Sequence, residues 1–278
     1  MKKFIVRTLA GALFAAVLIG AIIYGWRSFT MLFLPMAVLS VEEFGRLLKK
    51  YRNITFNTEL AGACGALLFG AFAATSYIDG VSTALLFAPY IAIVAYVFIL
   101  RLFSAKPHAL EDYAYFALTQ IYVALPFSLL NVLATVGVSG DEIYSWFIPL
   151  SVFIFIWCND SGAFCVGCTI GRHKMFERVS PKKTWEGFVG GVVVAAIAGA
   201  VMSRFFPVMN VWQWVGMALV VAVAGTLGDL VESSMKREMQ IKDSGNFLPG
   251  HGGFLDRFDS TLLAVPAVVV YLALLGIL

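Results

Sequence analysis

The sequence predicts an all-α, polytopic helical membrane protein, and three observations predict it. Hydrophobic residues make up 60% of the 278 positions and charged residues only 13%, with a mean hydropathy of +0.85. Soluble domains carry roughly 25% charged residues, so a soluble core is excluded. The apolar residues fall in runs separated by short polar connectors, and about 20 such residues in a helix cross the bilayer core. These runs do not alternate with the period of two that a membrane β-barrel needs, and lipid admits only helices or closed barrels.

Taken in order, the runs predict about nine transmembrane helices, near 4–26, 29–46, 57–77, 81–102, 112–138, 143–158, 187–206, 210–232 and 257–278. The start, Met1-Lys-Lys before an apolar run, has the look of a signal peptide. Arg7 interrupts it and no small-residue cleavage site follows, so an uncleaved first helix is expected. With the N-terminus inside, every basic residue except Arg27 and Arg204 lies on the inner side. The positive-inside rule then puts the N-terminus in the cytosol and, across an odd number of spans, the C-terminus outside. No composition shift marks a soluble domain, so 1–278 is expected to be one integral membrane domain. Its helices 1–158 precede a C-terminal part, 159–278, with cytosolic loops at 159–186 and 233–256.

Cysteine gives little. Cys64, Cys158, Cys165 and Cys168 sit in or beside apolar runs, so free thiols are expected rather than a disulfide framework. Cys165-Val-Gly-Cys168 has the spacing of half a zinc site without a second pair. Lys49, Lys50 and Arg52 read as a topological basic cluster touching anionic lipid heads. Glu42 and Glu43 are expected to pair with Arg46.

The two long inner loops hold nearly everything polar and unusual. From Ser233 to Asp259 the chain packs four basic residues, four acids, one histidine and four glycines. On a helix, Gly225, Asp229, Glu232, Ser233 and Lys236 share a face. Asp229 lies inside an apolar run, where a carboxylate must be paired or bound to metal. An Asp229–Lys236 or Asp229–Arg237 ion pair is the structural alternative. Asp256 and Asp259 share a face at a helix N-terminus, where negative charge is favoured and capping is the simpler role. Oxygen ligands of this kind suit magnesium, which keeps several waters and bridges to phosphates. Between them, Lys242, His251, Gly252 and Gly253 belong to a Gly-rich loop of the kind whose backbone N–H groups form anion nests.

A third cluster joins Asn159 and Asp160 to Ser180-Pro-Lys182-Lys183-Thr-Trp-Glu-Gly187, with cations placed to hold phosphates. Ala163, Gly167 and Gly171 form a small-residue stripe along which two helices can approach closely. A basic juxtamembrane loop is the plainer reading, and Trp185 reads as an interfacial anchor.

Ser233-x-Met-Lys-Arg, Lys242-Asp-x-Gly, Leu-Pro-x-His251-Gly-Gly-Phe and Asp256-Arg-Phe-Asp259 together resemble the signature of the phosphatidate cytidylyltransferases. Asn159-Asp160-x-x-Ala163 and Ser180-Pro-Lys-Lys-Thr-Trp-Glu-Gly187 are similar to that family's upstream motif, with Phe164 where tyrosine is expected. The motif-level match covers the C-terminal part of the chain; the N-terminal spans agree only in length and hydrophobicity.

The resemblance implies transfer of CMP from CTP to phosphatidic acid, giving CDP-diacylglycerol and pyrophosphate. It implies Mg2+, alone or with a second cation, and a site facing the cytosol of a bacterial inner membrane. Asp229 and Asp256 are then the expected metal ligands with Asp259 assisting. Lys182, Lys183, Lys236, Arg237 and Arg257 would hold the triphosphate and the lipid phosphate. Ser233 and His251 would orient phosphate oxygens, and Asn159 and Asp160 would bind metal or cytidine. A homodimer is compatible with the resemblance; nucleic acid is not an expected partner. A CTP-dependent polyisoprenol kinase is the near alternative. A transporter fits less well, because the polar residues gather at one interface and no internal repeat is seen.

Overall fold

The computed structural model describes residues 2–52, 54–103, 109–138, 142–245 and 253–278, with side chains from 10 onward. Its residues form two compact units, 1–144 with 243–257, and 145–242 with 258–278.

The first unit holds α1 (Lys2–Tyr24), α2 (Trp26–Arg52), α3 (Thr58–Tyr77) and α4 (Thr83–Leu102). A continuous helical run follows, α5 (Ala109–Leu118), a π-helical turn Thr119–Ala124 and α6 (Leu125–Leu133). Asn57 caps α3 by accepting from the backbone N–H of Glu59 at 2.8 Å and of Leu60 at 3.2 Å, satisfying orphan donors of the first turn. Lys49, Lys50 and Arg52 occupy the last turn of α2, where the helix dipole favours cations. α2 lies close on α3 because Gly45, Gly62 and Gly65 leave room. A Cβ at Gly62 would come within 2.9 Å of the Glu42 side chain. Phe29, Phe33, Phe44, Phe69, Phe116 and Phe127 fill the core. Buried Gln120 spans to the carbonyl of Ala61 at 3.1 Å. At the edge of this core, Arg101 and Asp112 form an ion pair at 2.7 Å.

The second unit holds α7 (Phe147–Ile170), the hairpin β1 (Lys174–Phe176) and β2 (Ser180–Thr184), α8 (Trp185–Phe205), α9 (Val211–Glu238) and most of α10 (Leu255–Leu274). Small residues set its geometry, as lipid-embedded packing requires. The Ala163 and Gly167 stripe of α7 meets Gly187 and Gly191 of α8, running antiparallel. A Cβ on Gly187 would stand 2.8 Å from the Ala163 carbonyl. Gly199 lets α9 approach α8 at Trp214, and Gly228 lets α10 approach α9, where a Cβ would meet the Asp259 carbonyl at 2.6 Å. The turn into α9 is a capping box between Asn210 and Gln213. Trp214, fully buried, donates from its indole to the Phe206 carbonyl at 2.9 Å.

Among the described residues, seven helical segments are long and apolar enough to cross a membrane: α3, α4, the α5–α6 run, α7, α8, α9 and α10. The protein is an integral, predominantly helical membrane protein. Of α1, Ala10–Tyr24 counts as a shorter apolar helix, and α2 carries six charged residues between Glu42 and Arg52. The expected count of nine therefore rests on α1 and α2.

The helices overrun the expected boundaries on the polar side. α7 continues to Ile170, past its expected end at 158, because Asn159, Gly162, Ala163 and Gly167 all have tight partners on neighbouring helices. α9 continues to Glu238, past 232. The expected loop 159–186 shrinks to 171–184, most of it the two-stranded hairpin, and 233–256 shrinks to the segment between Glu238 and Leu255.

Candidate active site

Three helices of the second unit each bring one carboxylate to the same neighbourhood: Asp160 from α7, Asp229 from α9 and Asp259 from α10. Asp229 acts on both Asp160 and Asp259, and Asp160 acts on Asp259. The Gly228 contact is the cause of part of this. With no Cβ at 228, the backbone of Asp259 and Ser260 packs directly against α9, one residue from Asp229.

Two lysines answer these charges. Lys183, on β2, places Nζ 2.6 Å from Asp229 Oδ2 and 3.4 Å from the Thr226 carbonyl. Lys236 exerts its charge on Asp259 and pairs at 3.1 Å with Glu232, which is buried. Asp229 takes a second hydrogen bond from the Ser233 hydroxyl at 3.2 Å. The single expected face of α9 is thus two i,i+4 pairs, Asp229–Ser233 and Glu232–Lys236. The cation on Asp229 is Lys183, from the other motif, rather than Lys236 or Arg237.

Asn159 is buried and donates from Nδ2 to the Thr226 hydroxyl at 3.1 Å, joining α7 to α9. Beside it lies a cavity of about 220 Å³ lined by Asp160, Phe164, Lys182, Lys183, Phe188 and Thr226, among others. The hairpin that presents Lys182 and Lys183 is pinned at its base. The Glu186 carboxylate accepts from the backbone N–H of Arg172 at 3.1 Å and of His173 at 3.2 Å, and it meets the His173 imidazole at 2.5 Å. Thr184 caps α8 through the Gly187 N–H at 3.2 Å.

Arg237 donates to the carbonyls of Val179 and Ile241, both at 3.3 Å, so it ties the hairpin turn to the end of α9. Lys242 and Arg257 are exposed. His251 and Gly252 lie outside the described residues.

Asp256 belongs to the first unit. Its Oδ2 accepts from the backbone N–H of Ser244 at 2.9 Å and of Gly253 at 2.8 Å, so it ties together the two ends of the 244–253 segment while standing in the first turn of α10. A second carboxyl does the same, and sequence reasoning misassigned it. Glu42 pairs with Arg46 at 3.4 Å as expected. Glu43 instead is buried and accepts from the Ser244 hydroxyl and from the backbone N–H of Phe254 at 3.0 Å and of Leu255 at 3.3 Å. Neither Gly245 nor Gly253 has the positive φ of an anion nest; both sit where a Cβ would press on the Glu43 carboxyl.

The carboxylate set is oxygen-only, which suits a hard cation such as Mg2+. Among the described residues no three acids or other ligating side chains form a ready-made metal cage.

Acids near the polar ends of apolar helices, one of them paired with Lys183 of the hairpin, make a charged site in a membrane protein. A model of the Cytidylyltransferase family matches residues 5–275, and the chain belongs to that family, a family of nucleotidyl-transferring enzymes. The phosphatidate cytidylyltransferase of Bacillus subtilis (strain 168) is 33% identical over 277 residues, 96% of this chain and 97% of that protein. The proteins of the same name from Staphylococcus aureus (strain COL) and Staphylococcus epidermidis (strain ATCC 12228) are 45% and 44% identical over 124 residues, 44% of this chain and 48% of theirs.

Proposed function

We propose that the protein transfers CMP from CTP to phosphatidate, releasing pyrophosphate and forming CDP-diacylglycerol, with its site facing the cytosol of a bacterial cytoplasmic membrane. The observation that carries this reading is the convergence of Asp160, Asp229 and Asp259 opposite Lys183 and Lys236. Family membership and the relatives' names support the choice of substrates.

In the reaction, a phosphate oxygen of phosphatidate attacks the α-phosphorus of CTP. The bond from that phosphorus to the oxygen bridging to the β-phosphate breaks, and pyrophosphate leaves with the electron pair. The nucleophile is already anionic, so no side chain need remove a proton. What the protein must supply is the juxtaposition of two polyanions and stabilisation of the charge that builds on the α-phosphate and the leaving group.

Asp229 and Asp259 are the residues of the second unit that would hold Mg2+; Asp256, in the first unit, is a candidate ligand by its place in the motif. When bound, the ion neutralises phosphate oxygens and polarises the reacting phosphorus. Lys183, which pairs with Asp229 at 2.6 Å, would have a phosphate as its alternative partner. Lys182, on the next position of the strand, and Lys236, Arg237 and Arg257 add positive charge around the triphosphate and the lipid phosphate. Ser233 holds Asp229 in place and Asn159 fixes α7 against α9; Lys242, His251, Gly252 and Gly253 are candidates to bind the phosphates by their place in the motif. Apolar helix surface around the site suits entry of the lipid from the inner leaflet.

The test is product analysis. Purified protein with CTP, phosphatidate and Mg2+ is expected to release one pyrophosphate for each CDP-diacylglycerol made. Release of CDP with a newly phosphorylated lipid would place the protein with the CTP-dependent lipid kinases instead.

A further inference from the structure

Glu43 lies on α2, some 200 residues before the segment it touches. Its carboxyl is buried, and every hydrogen bond described for it goes to the two ends of the 244–255 segment. The Ser244 hydroxyl is at one end; the N–H groups of Phe254 and Leu255 are at the other. The latter two stand at the N-terminus of α10, where the first N–H groups have no partner within the helix and where negative charge is favoured. Glu43 is therefore a helix cap supplied by a remote helix.

The neighbouring glycines fit this role. A Cβ at Gly245 would lie 3.0 Å from Glu43 Oε2. At Gly253 a Cβ would fall well inside contact distance of both Glu43 Oε1 and the Ser244 hydroxyl. Asp256 shares the same anchorage, since its Oδ2 accepts from Ser244 and Gly253. Any shift of Ser244 or Phe254 moves the atoms that hold Asp256.

We infer that Glu43 is a positioning residue for the transfer reaction: it clamps the two ends of the signature segment so that Asp256 and the first turn of α10 stand in the productive arrangement. The inference rests on the assignment of Asp256 to the reaction made above. It gives the N-terminal helices, which carry none of the recognised motifs, a defined part in catalysis.

Glu43→Gln keeps the length and one acceptor oxygen but sets an NH2 group against backbone N–H donors. Glu43→Asp keeps both acceptors on a shorter stem. In Glu43→Gln, kcat is expected to fall about 100-fold with KM for CTP changed by less than about threefold, because placement rather than binding is lost. Glu43→Asp is expected to recover part of that loss. Independently of activity, the amides of Phe254 and Leu255 should exchange hydrogen about tenfold faster in Glu43→Gln, with α7 and α8 unchanged. Wild-type kcat in Glu43→Gln, unchanged exchange at Phe254 and Leu255, or a loss of activity that only follows a fall in Tm would each overturn the inference. Should the wild-type protein make no CDP-diacylglycerol, the functional reading fails, and the exchange measurement still decides whether Glu43 clamps the segment.

Discussion

Two ion pairs, one in each unit, have nearly the same length and opposite surroundings. Arg101 and Asp112 meet at 2.7 Å with side chains only 6% and 3% exposed. Asp112 also accepts from Thr55, at 2.8 Å from its N–H and 2.5 Å from its hydroxyl, so its oxygens are occupied within the protein. Lys183 and Asp229 meet at 2.6 Å with side chains 27% and 32% exposed. A cavity borders each pair, about 230 Å³ at Arg101–Asp112 and about 220 Å³ at Lys183, but Asp229 alone stands near two further carboxylates, Asp160 and Asp259. The first pair is almost fully buried and holds α4 to α5. The second is partly exposed and stands near two further carboxylates; in the proposed reaction it would exchange its partners for a metal and a phosphate. Distance alone does not separate a structural pair from a functional one; solvent access and the balance of neighbouring charge do.

If that contrast is right, the two pairs fail differently when one acid is removed. Asp229→Asn should lower kcat for CDP-diacylglycerol formation by about 1000-fold, the scale of losing a main electrostatic group in a transfer site. Its Tm in detergent should stay near that of the wild type. Asp112→Ala should do the reverse. Removing the carboxylate from a buried cation costs about 3–5 kcal/mol, read as a large fall in Tm, while the protein that stays folded keeps its kcat. A variant of Asp112 that is stable but inactive would break the comparison.

Gly228→Ala sharpens it from the packing side. The new Cβ meets the Asp259 carbonyl, so α10 must move from α9 and carry Asp259 with it. A displacement of about 1 Å is expected to reduce kcat by 10- to 100-fold, measured in the same assay. The smallest effect is expected at Glu186→Gln. Its carboxylate steadies the hairpin base at the surface, so a rise of about two- to fivefold in KM for CTP with unchanged kcat is the expected outcome in steady-state kinetics.

The distribution of charge marks candidate site residues in the sequence itself. Acids and bases are costly in lipid, so Asp229, the Asp256–Asp259 pair and the Lys182–Lys183 pair stand out against apolar runs. Helix ends were less legible. Asn159 and Asp160 look like the close of a span, yet α7 continues because Asn159 bonds to Thr226 and its small residues pack on α8. The short strands at 174–176 and 180–184 carry no period-two pattern long enough to detect. Glu43 was illegible for a different reason. Its partners are mostly backbone N–H groups some 200 positions away, and a backbone donor leaves no signature in residue identity. The pairing of Lys183 with Asp229 also joins two motifs whose individual patterns do not reveal that they meet.

Most depends on the proposal that Asp229, in the second unit, helps to hold the divalent cation that transfer would use. Calorimetric titration of Mg2+ into purified wild-type protein and Asp229→Asn, each with a non-reactive CTP analogue, tests it directly. The account predicts saturable binding to the wild type and affinity weaker by at least about tenfold in the variant. Equal affinity in the two proteins would contradict it.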